Sequence, residues 1–466
     1  MGQRQRALKL EGRRALVVGL ARSGVAAANV LLRRGCTVTV TDRESADRLA
    51  PRIAELEGPV RLLLGKHPLE EFLASDFIVL SPGVPSSLPE IEAARSEGTP
   101  VLSEVELAFQ NLPGRYIAIT GSNGKTTTTT LLGQIVERAG FHAATAGNIG
   151  LPLSRLLLSG APPDPRTLVV ELSSFQLESI DTFRPEIAVL LNLTPDHLDR
   201  YSSFEAYRAA KLRIFENQTP SDWAVLNADD PELGSAAPPS RVARFSATQR
   251  TEEGAFVAGG SVYTRLQGRE SRVMPVSDIL IQGRHNLENV LAATLAARLA
   301  GVEAEAIRET VARFRGVEHR LEFVAEIKGV RYFNDSKATN VASAARALES
   351  FDSPVVAIMG GLDKRGDFSV LRPILSERVK MVIAIGSAAR KISETLSGTV
   401  PVMHAAGLED AVLEASRVAA AGEVVLLAPA CASFDMFQDY EHRGRTFKEV
   451  VLTLEGLDSL QGDLAQ

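Results

Sequence analysis

The chain has 466 residues, room for about three domains of ordinary size, with 45% hydrophobic and 23% charged residues, the balance of a soluble globular protein. A net charge of −6 gives no support for bulk nucleic-acid binding, and no nucleic-acid partner is expected, while local basic pockets that hold small anions remain open. Two cysteines, Cys36 and Cys431, exclude a disulfide framework and a zinc knuckle, and with no apolar run of about 18 residues and no apolar h-region near the start, a cytoplasmic protein without a membrane span is expected.

Residues 1–110 alternate short apolar runs with helical patterns, which predicts a parallel sheet flanked by helices. The strands are expected at Ala15–Leu20, Thr37–Thr41, Phe77–Leu80 and Pro100–Leu102. The first turn, Gly19-Leu20-Ala21-Arg22-Ser23-Gly24, resembles a dinucleotide fingerprint with Ala21 in place of its central glycine. Asp42 ends the second strand, where an acidic ribose ligand would lie. Two readings stay open. Either a diphosphate sits near the helix start at Ser23, or the turn is only tight and Asp42 is a solvated strand end. Ser81-Pro82-Gly83 closes another strand as a turn or a similar ligand loop.

A boundary is read near Gln110–Gly114. The next stretch, YIAITGSNGKTTTTTLLGQIVERAG, organises the chain. Tyr116–Thr120 is a buried strand by pattern, and Gly121, Ser122, Asn123 and Gly124 form a turn with a glycine at each end. Leu131, Leu132, Ile135, Val136 and Ala139 mark one face of a helix that Gly140 stops. Strand, glycine turn, Lys125-Thr126-Thr127 and helix make a phosphate cradle: backbone N–H groups and the positive helix end face an anion, and the lysine adds a full charge. The loop is a shortened variant, since Ile119 stands where the strict pattern has its first glycine. Five consecutive threonines cost about 2–3 kcal/mol of helix propensity, which argues for a use other than helix formation.

Further polar groups follow predicted strand ends, the place where open parallel sheets bind ligands. Glu171 ends Thr167–Leu172 and is either a Mg²⁺ ligand or a helix N-terminal acid. His197 follows Ile187–Leu191 and is a metal ligand, an orienting base or a surface residue. Lys211 lies on the helix Phe204–Phe215 and by itself reads as a solvated lysine. Asn286 and Asn289, spaced i,i+3, either read a nucleotide or cap the helix that opens after Gly283. From about Val317 strands alternate with helices again: Val330–Phe333, Val355–Met359, Val382–Ile385 and Val424–Leu427. Three polar groups trail these strands: Asn334–Asn340, Gly360–Lys364 and Pro429–Asp435, with Arg443 downstream. Together they predict a pocket for an anionic substrate.

Taken together, TGSNGKTT, ELSSFQLE, NLTPDHLDRY, GRHNLENVLAA, HRLE, NDSKATN, GGLDKRGDF and PACASFDMF resemble the Mur ligases, which build the peptide stem of bacterial peptidoglycan. NDSKATN and SSFQLE look like the member that adds D-glutamate. The Asp-Asn-Pro-Arg motif of the relative that adds a diamino acid is absent. The resemblance spans essentially the whole chain. It departs at Ala21 and Arg22 in the first turn, and at Tyr440, where some members carry Phe.

The resemblance implies a three-domain α/β enzyme. A Rossmann-like domain (1–110) would hold UDP-N-acetylmuramoyl-L-alanine. A central P-loop-type domain (111–316) would bind ATP and Mg²⁺, and a Rossmann-like C-terminal domain (317–466) would bind D-glutamate and close on its linker. Ser23, Asp42, Arg43 and Ser81 would meet the uridine diphosphate, with Asn148 and His197 near the muramoyl-alanine. Gly121–Thr127, Asn286, Asn289, Arg320, Asp335 and Lys337 would form the ATP site. Thr126, Glu171, His197 and a carbamylated Lys211 would serve Mg²⁺, and Thr339, Lys364, Ser433 and Tyr440 would meet D-glutamate. Lys125, His197 and Lys211 would act in catalysis, through an acyl phosphate, in a monomer. Two other classes compete: a nicotinamide dehydrogenase, against which Ala21 and the phosphate loop count, and an ATP-driven switch without turnover.

Overall fold

Residues 9–148, 150–158, 166–195, 200–281, 283–363 and 366–463 are described by the structure, a computed structural model. Three sheets carry the chain. The first has β1 (Arg14–Val18), β2 (Thr37–Asp42), β3 (Arg61–Leu64), β4 (Phe77–Leu80) and β5 (Val101–Ser103), ordered β3-β2-β1-β4-β5 and parallel throughout. Ala15–Val18 of β1 and all of β4 are unbroken apolar runs because helices cover both faces. Ala15, Val17, Phe77 and Val79 enter one core, and Leu16, Val18, Ile78 and Leu80 the other.

The second sheet has nine strands: β6 (Arg115–Thr120), β7 (Ala143–Gly147), β8 (Thr167–Glu171), β9 (Ile187–Leu190), β10 (Trp223–Asn227), β11 (Arg241–Ser246), β12 (Gly254–Ala258), β13 (Ser261–Leu266) and β14 (Arg269–Pro275). Their order is β14-β13-β12-β11-β10-β9-β6-β8-β7. β12–β14 form an antiparallel edge on a parallel sheet. No strand is expected from the sequence at this edge. Its residues pack locally and bear no ligand-type pattern.

These two sheets lie in one body, made of the chain through Leu280 plus Arg284–Arg313. The helix Glu104–Asn111 ties them together. Glu104 Oε1 accepts from Ser154 N at 2.6 Å, and Glu106 accepts from the N–H groups of Asp181, Thr182 and Phe183 at 2.9–3.0 Å. Both glutamates are buried, and each holds the backbone of the second sheet's connections.

The other body comprises Ile281–Gly283 and the chain from Phe314. Its sheet has β15 (Glu322–Ile327), β16 (Val330–Asn334), β17 (Val355–Gly360), β18 (Val379–Ile385), β19 (Val402–His404) and β20 (Val424–Leu427), ordered β15-β16-β20-β17-β18-β19. Only β15 runs antiparallel. Alternate residues again divide between two cores: Val355, Ala357 and Met359 on one side, Val356 and Ile358 on the other. Cys36 and Cys431 are buried free thiols, as the apolar flanks predict. No helix among the described residues is long and apolar enough to cross a membrane.

Candidate active site

The glycine turn leaves the carboxyl end of β6, between β8 and β9, and opens the helix Lys125–Arg138. Gly124 is left-handed at φ +81°, and a Cβ there would meet Asn289 Oδ1 at 2.1 Å. Only glycine lets the helix bearing Asn289 approach so closely. Thr128 Oγ1 donates to Asn289 Oδ1 at 3.3 Å, and Asn289 Nδ2 donates to Asn286 Oδ1 at 3.3 Å. The pair therefore joins the loop. Asn289 lies more than a turn into the helix Arg284–Leu299, so the capping alternative does not hold for it.

Asn192 clamps the turn from β9. Its side chain accepts from Asn123 N at 2.8 Å and donates to Asn123 O at 3.2 Å, while its carbonyl accepts from Ser122 N at 3.0 Å. Ser122 Oγ pairs with Tyr207 OH at 3.0 Å and donates to Thr194 O at 3.0 Å. Lys125 Nζ reaches back to Gly121 O at 2.8 Å and Ser122 O at 3.0 Å. The threonines Thr126–Thr129 are all buried, so their poor helix propensity is offset by packing at the helix start.

Lys211 overturns the solvated reading that its helical position alone supports. It is 1% exposed, donates to the same Gly121 O at 2.8 Å, and stands 4.8 Å from the Tyr207 ring centre. Two ammonium groups thus meet one carbonyl at the base of the loop. Tyr207 precedes Lys211 by four residues, one helical turn on the same face, a spacing that was there to be read. Asn192 carried a fainter signal, its place just past a strand end.

Glu171 is buried at the end of β8, paired in register with Ile119 of β6 and Gly147 of β7. Asn148, exposed just past β7, donates from Nδ2 to Glu171 Oε1 at 3.1 Å. A helix follows Glu171, but Ser173 caps it with Gln176, so Glu171 is not the helix's first-turn acid. His197 and Lys364 lie outside the described residues.

In the first sheet the strand order reverses between β1 and β4, and the ends of these strands meet. Ser81 Oγ donates to Gly19 O at 2.7 Å, and a Cβ on Gly24 would lie 1.9 Å from that carbonyl. Asp42 is no free strand end: Oδ2 accepts from Leu20 N at 2.7 Å and Oδ1 from Glu44 N at 2.9 Å. It braces the turn that carries Ser23, half-buried at the helix start. Arg43 is exposed beside it.

In the second body, His319 and Leu321 both have positive φ, +63° and +41°, and flank Arg320. Leu321 N donates to Asp335 Oδ1 at 3.2 Å, and Lys337 N donates to His319 O at 3.1 Å. Burial pushes the Asp335 carboxyl up to about 6, against the opposing pull of Arg320, the Leu321 N–H and Lys337. Lys337 Nζ is 5.9 Å from the Tyr440 ring centre. Arg320, Asp335, Lys337 and Tyr440 therefore share one neighbourhood.

Arg443, noted in the sequence but given no role, is fully buried. It donates to Ser336 Oγ and Ser336 O at 2.9 Å, and to Cys431 O at 3.2 Å. It gathers the loops after β16 and β20. Ser433 is buried in the second of these, and Thr339 half-buried in the first.

Three family models match the chain: the Mur ligase MurD-like N-terminal domain over 13–103, the Mur ligase middle domain over 119–297, and the Mur ligase glutamate ligase domain over 319–431. The chain is 51% identical over 459 residues to UDP-N-acetylmuramoylalanine–D-glutamate ligase of Acidobacterium capsulatum, covering 97% of this chain and 99% of that one. It is 50% identical over 447 residues to the ligase of the same name from Koribacter versatilis, covering 95% and 98%. Among solved structures it matches UDP-N-acetylmuramate-alanine ligase MurC of Thermotoga maritima, with a TM-score of 0.55 and 21% identity over 95% of this chain and 99% of that one. At that identity the likeness speaks for the fold.

Proposed function

Since this chain belongs to the Mur ligase family, we infer that it joins D-glutamate to UDP-N-acetylmuramoyl-L-alanine, as the names of its relatives describe for them, and that ATP drives the joining. The reading rests on the phosphate loop, where Lys125 and Lys211 converge on Gly121 O beside the strand end that carries Glu171.

The reaction has two steps. The alanine carboxylate attacks the γ-phosphorus of ATP, giving an acyl phosphate and ADP. The amine of D-glutamate then attacks the acyl carbon, and phosphate leaves. Bringing an acid to a triphosphate is costly: two like unit charges at 4 Å repel by about 4 kcal/mol at an effective dielectric of 20. Lys125 and the backbone N–H groups of the helix start answer that repulsion, and charge stabilisation with positioning carries most of such catalysis.

The labour divides among residues 1–110, 111–316 and 317–466. Ser23, Asp42, Arg43 and Ser81 hold the uridine diphosphate, with Asn148 and His197 toward the acyl end. Gly121–Thr127, Asn286 and Asn289, with Arg320, Asp335 and Lys337, serve ATP. Thr339, Lys364, Ser433 and Tyr440 take D-glutamate. Thr126 and Glu171, with His197 and a carbamylated Lys211, are the set for Mg²⁺. The Thr126 hydroxyl and the Glu171 carboxylate offer oxygens that suit that hard cation. The ion, when bound, would neutralise phosphate charge. Two free buried thiols agree with a reducing cytoplasm, where a monomer would work.

The test is phosphate release from ATP with UDP-N-acetylmuramoyl-L-alanine and a panel of amino acids. D-glutamate alone should support turnover. Activity with L-lysine or diaminopimelate instead would overturn the specificity, and amino-acid-independent ATP binding without turnover would favour a switch.

A further inference from the structure

Arg200 lies between β9 and the helix Phe204–Leu212, and it links two parts of the first body. Its guanidinium carbon stands 3.8 Å from the centre of the Phe175 ring. It donates to Pro82 O at 3.3 Å and Val84 O at 3.0 Å, and lies 3.7 Å from Glu178 Oε2. Glu178 also accepts from Ser86 Oγ at 2.8 Å and from the Tyr201 hydroxyl. Tyr201 in turn stacks on Phe175 with the rings 12° from parallel.

Each end of this cluster leads to a group already described. The segment 82–86 follows Ser81, whose hydroxyl donates to Gly19 O, and a Cβ on Gly19 would lie 2.9 Å from Val84 Cγ2. The first glycine turn is therefore packed directly against the segment whose carbonyls Arg200 grips. On the other side, Phe175 and Glu178 sit on and beside the short helix that follows Glu171 on the β8 connection. The grip needs arginine. A flat fork holds two carbonyls in a fixed geometry with its plane stacked on the ring, whereas a lysine ammonium has no planar face to stack and no fixed fork to keep the two carbonyls in register. Arg200 and Glu178 are 18% and 17% exposed, so the contacts are only weakly screened.

We propose that Arg200 is a positioning residue that sets the UDP-sugar loop at Ser81–Ser86 against the nucleotide half of the site. The proposal rests on the ligase reading above. Removing the grip lets the 81–86 loop drift, so productive binding of the UDP-linked substrate suffers while the phosphate loop, held by Asn192 and Asn289, is untouched.

The experiment uses the full chain with Arg200→Ala, Arg200→Lys and Phe175→Leu. KM for UDP-N-acetylmuramoyl-L-alanine, KM for ATP, kcat and the thermal midpoint are measured for each. Both Arg200 variants should raise KM for the UDP substrate about tenfold, since each tenfold step is about 1.4 kcal/mol, the scale of one charge-assisted hydrogen bond. KM for ATP should stay within about twofold, well under that step. Phe175→Leu, which removes the ring under Arg200 and its stack with Tyr201 but leaves the carbonyl contacts of Arg200, should fall between Arg200→Ala and the unaltered chain. Wild-type behaviour of Arg200→Lys would overturn the proposal. So would both KM values rising together with a lowered thermal midpoint, the mark of a purely structural residue. An unaltered chain that turns over no UDP substrate would instead sink the ligase reading itself.

Discussion

Replacing Gly124 by alanine tests the phosphate loop at its tightest point. Two effects add. The left-handed backbone at φ +81° disfavours any Cβ, at about 1–2 kcal/mol. The new methyl would also lie 2.1 Å from Asn289 Oδ1, so Asn289 must turn away. Overpacking of this kind costs about 1–3 kcal/mol. It also breaks the contacts of Asn289 with Thr128 and Asn286, each worth about 1 kcal/mol. Gly140 provides the control: its φ is +85°, and a Cβ there would meet nothing within 4 Å. Gly140→Ala should therefore show the backbone effect alone. Thermal unfolding separates the two, since each kcal/mol moves the midpoint by about 2–4 °C in a cooperative unit of 150–250 residues. Gly124→Ala should lose at least twice as much as Gly140→Ala and raise KM for ATP, which Gly140→Ala should not. Adding Asn289→Ala to Gly124→Ala should return part of the stability but not the ATP affinity. Equal midpoints and equal KM values for the two alanine variants would refute the close approach of loop and helix.

Asp335→Asn should stabilise the chain at neutral pH. The folded carboxyl titrates near 6 and its ordinary value is 3.8, so the fold binds more protons in that window and stability falls as pH rises through it. The penalty is absent below the ordinary value and complete above the folded one, at most about 3 kcal/mol. The gain in midpoint from Asp335→Asn should vanish in acid, and a loss of midpoint at neutral pH would contradict the burial argument. Lys125→Ala should lower kcat by about 10²–10³ or more while leaving the midpoint near that of the unaltered chain, and near-normal turnover would remove its role. Lys211→Ala should lose turnover and regain part of it with added acetate or formate if a carbamate on Lys211 supports the ion. Absence of rescue would argue that the ammonium itself, through Gly121 O, is what matters.

Much of the architecture was legible because parallel strands buried on both faces leave a plain trace. Phe77–Leu80 and Val424–Leu427 appear in the structure with the bounds the apolar runs predict, and the helix after Gly124 ends just before Gly140. The phosphate loop was equally plain, since a glycine turn followed by lysine and threonine is a local pattern that needs no partner to be seen. The edge β12–β14 was not, because antiparallel strands with one exposed face mix polar and apolar residues and carry no chemistry to mark them.

Residue types and their order along the chain determined the three sheets, the loop that faces phosphate and the family to which the chain belongs. Only the tertiary structure decided which side chains meet. It buried Lys211, which its helix alone would leave in water, and set it on the carbonyl that Lys125 also reaches. It turned Asp42 inward to brace the first turn, and gathered Arg200, Glu178 and Phe175 around the 81–86 loop. The reason is physical: strand and helix periodicity is written in neighbouring residues, but a hydrogen bond between groups a hundred residues apart depends on how whole elements pack.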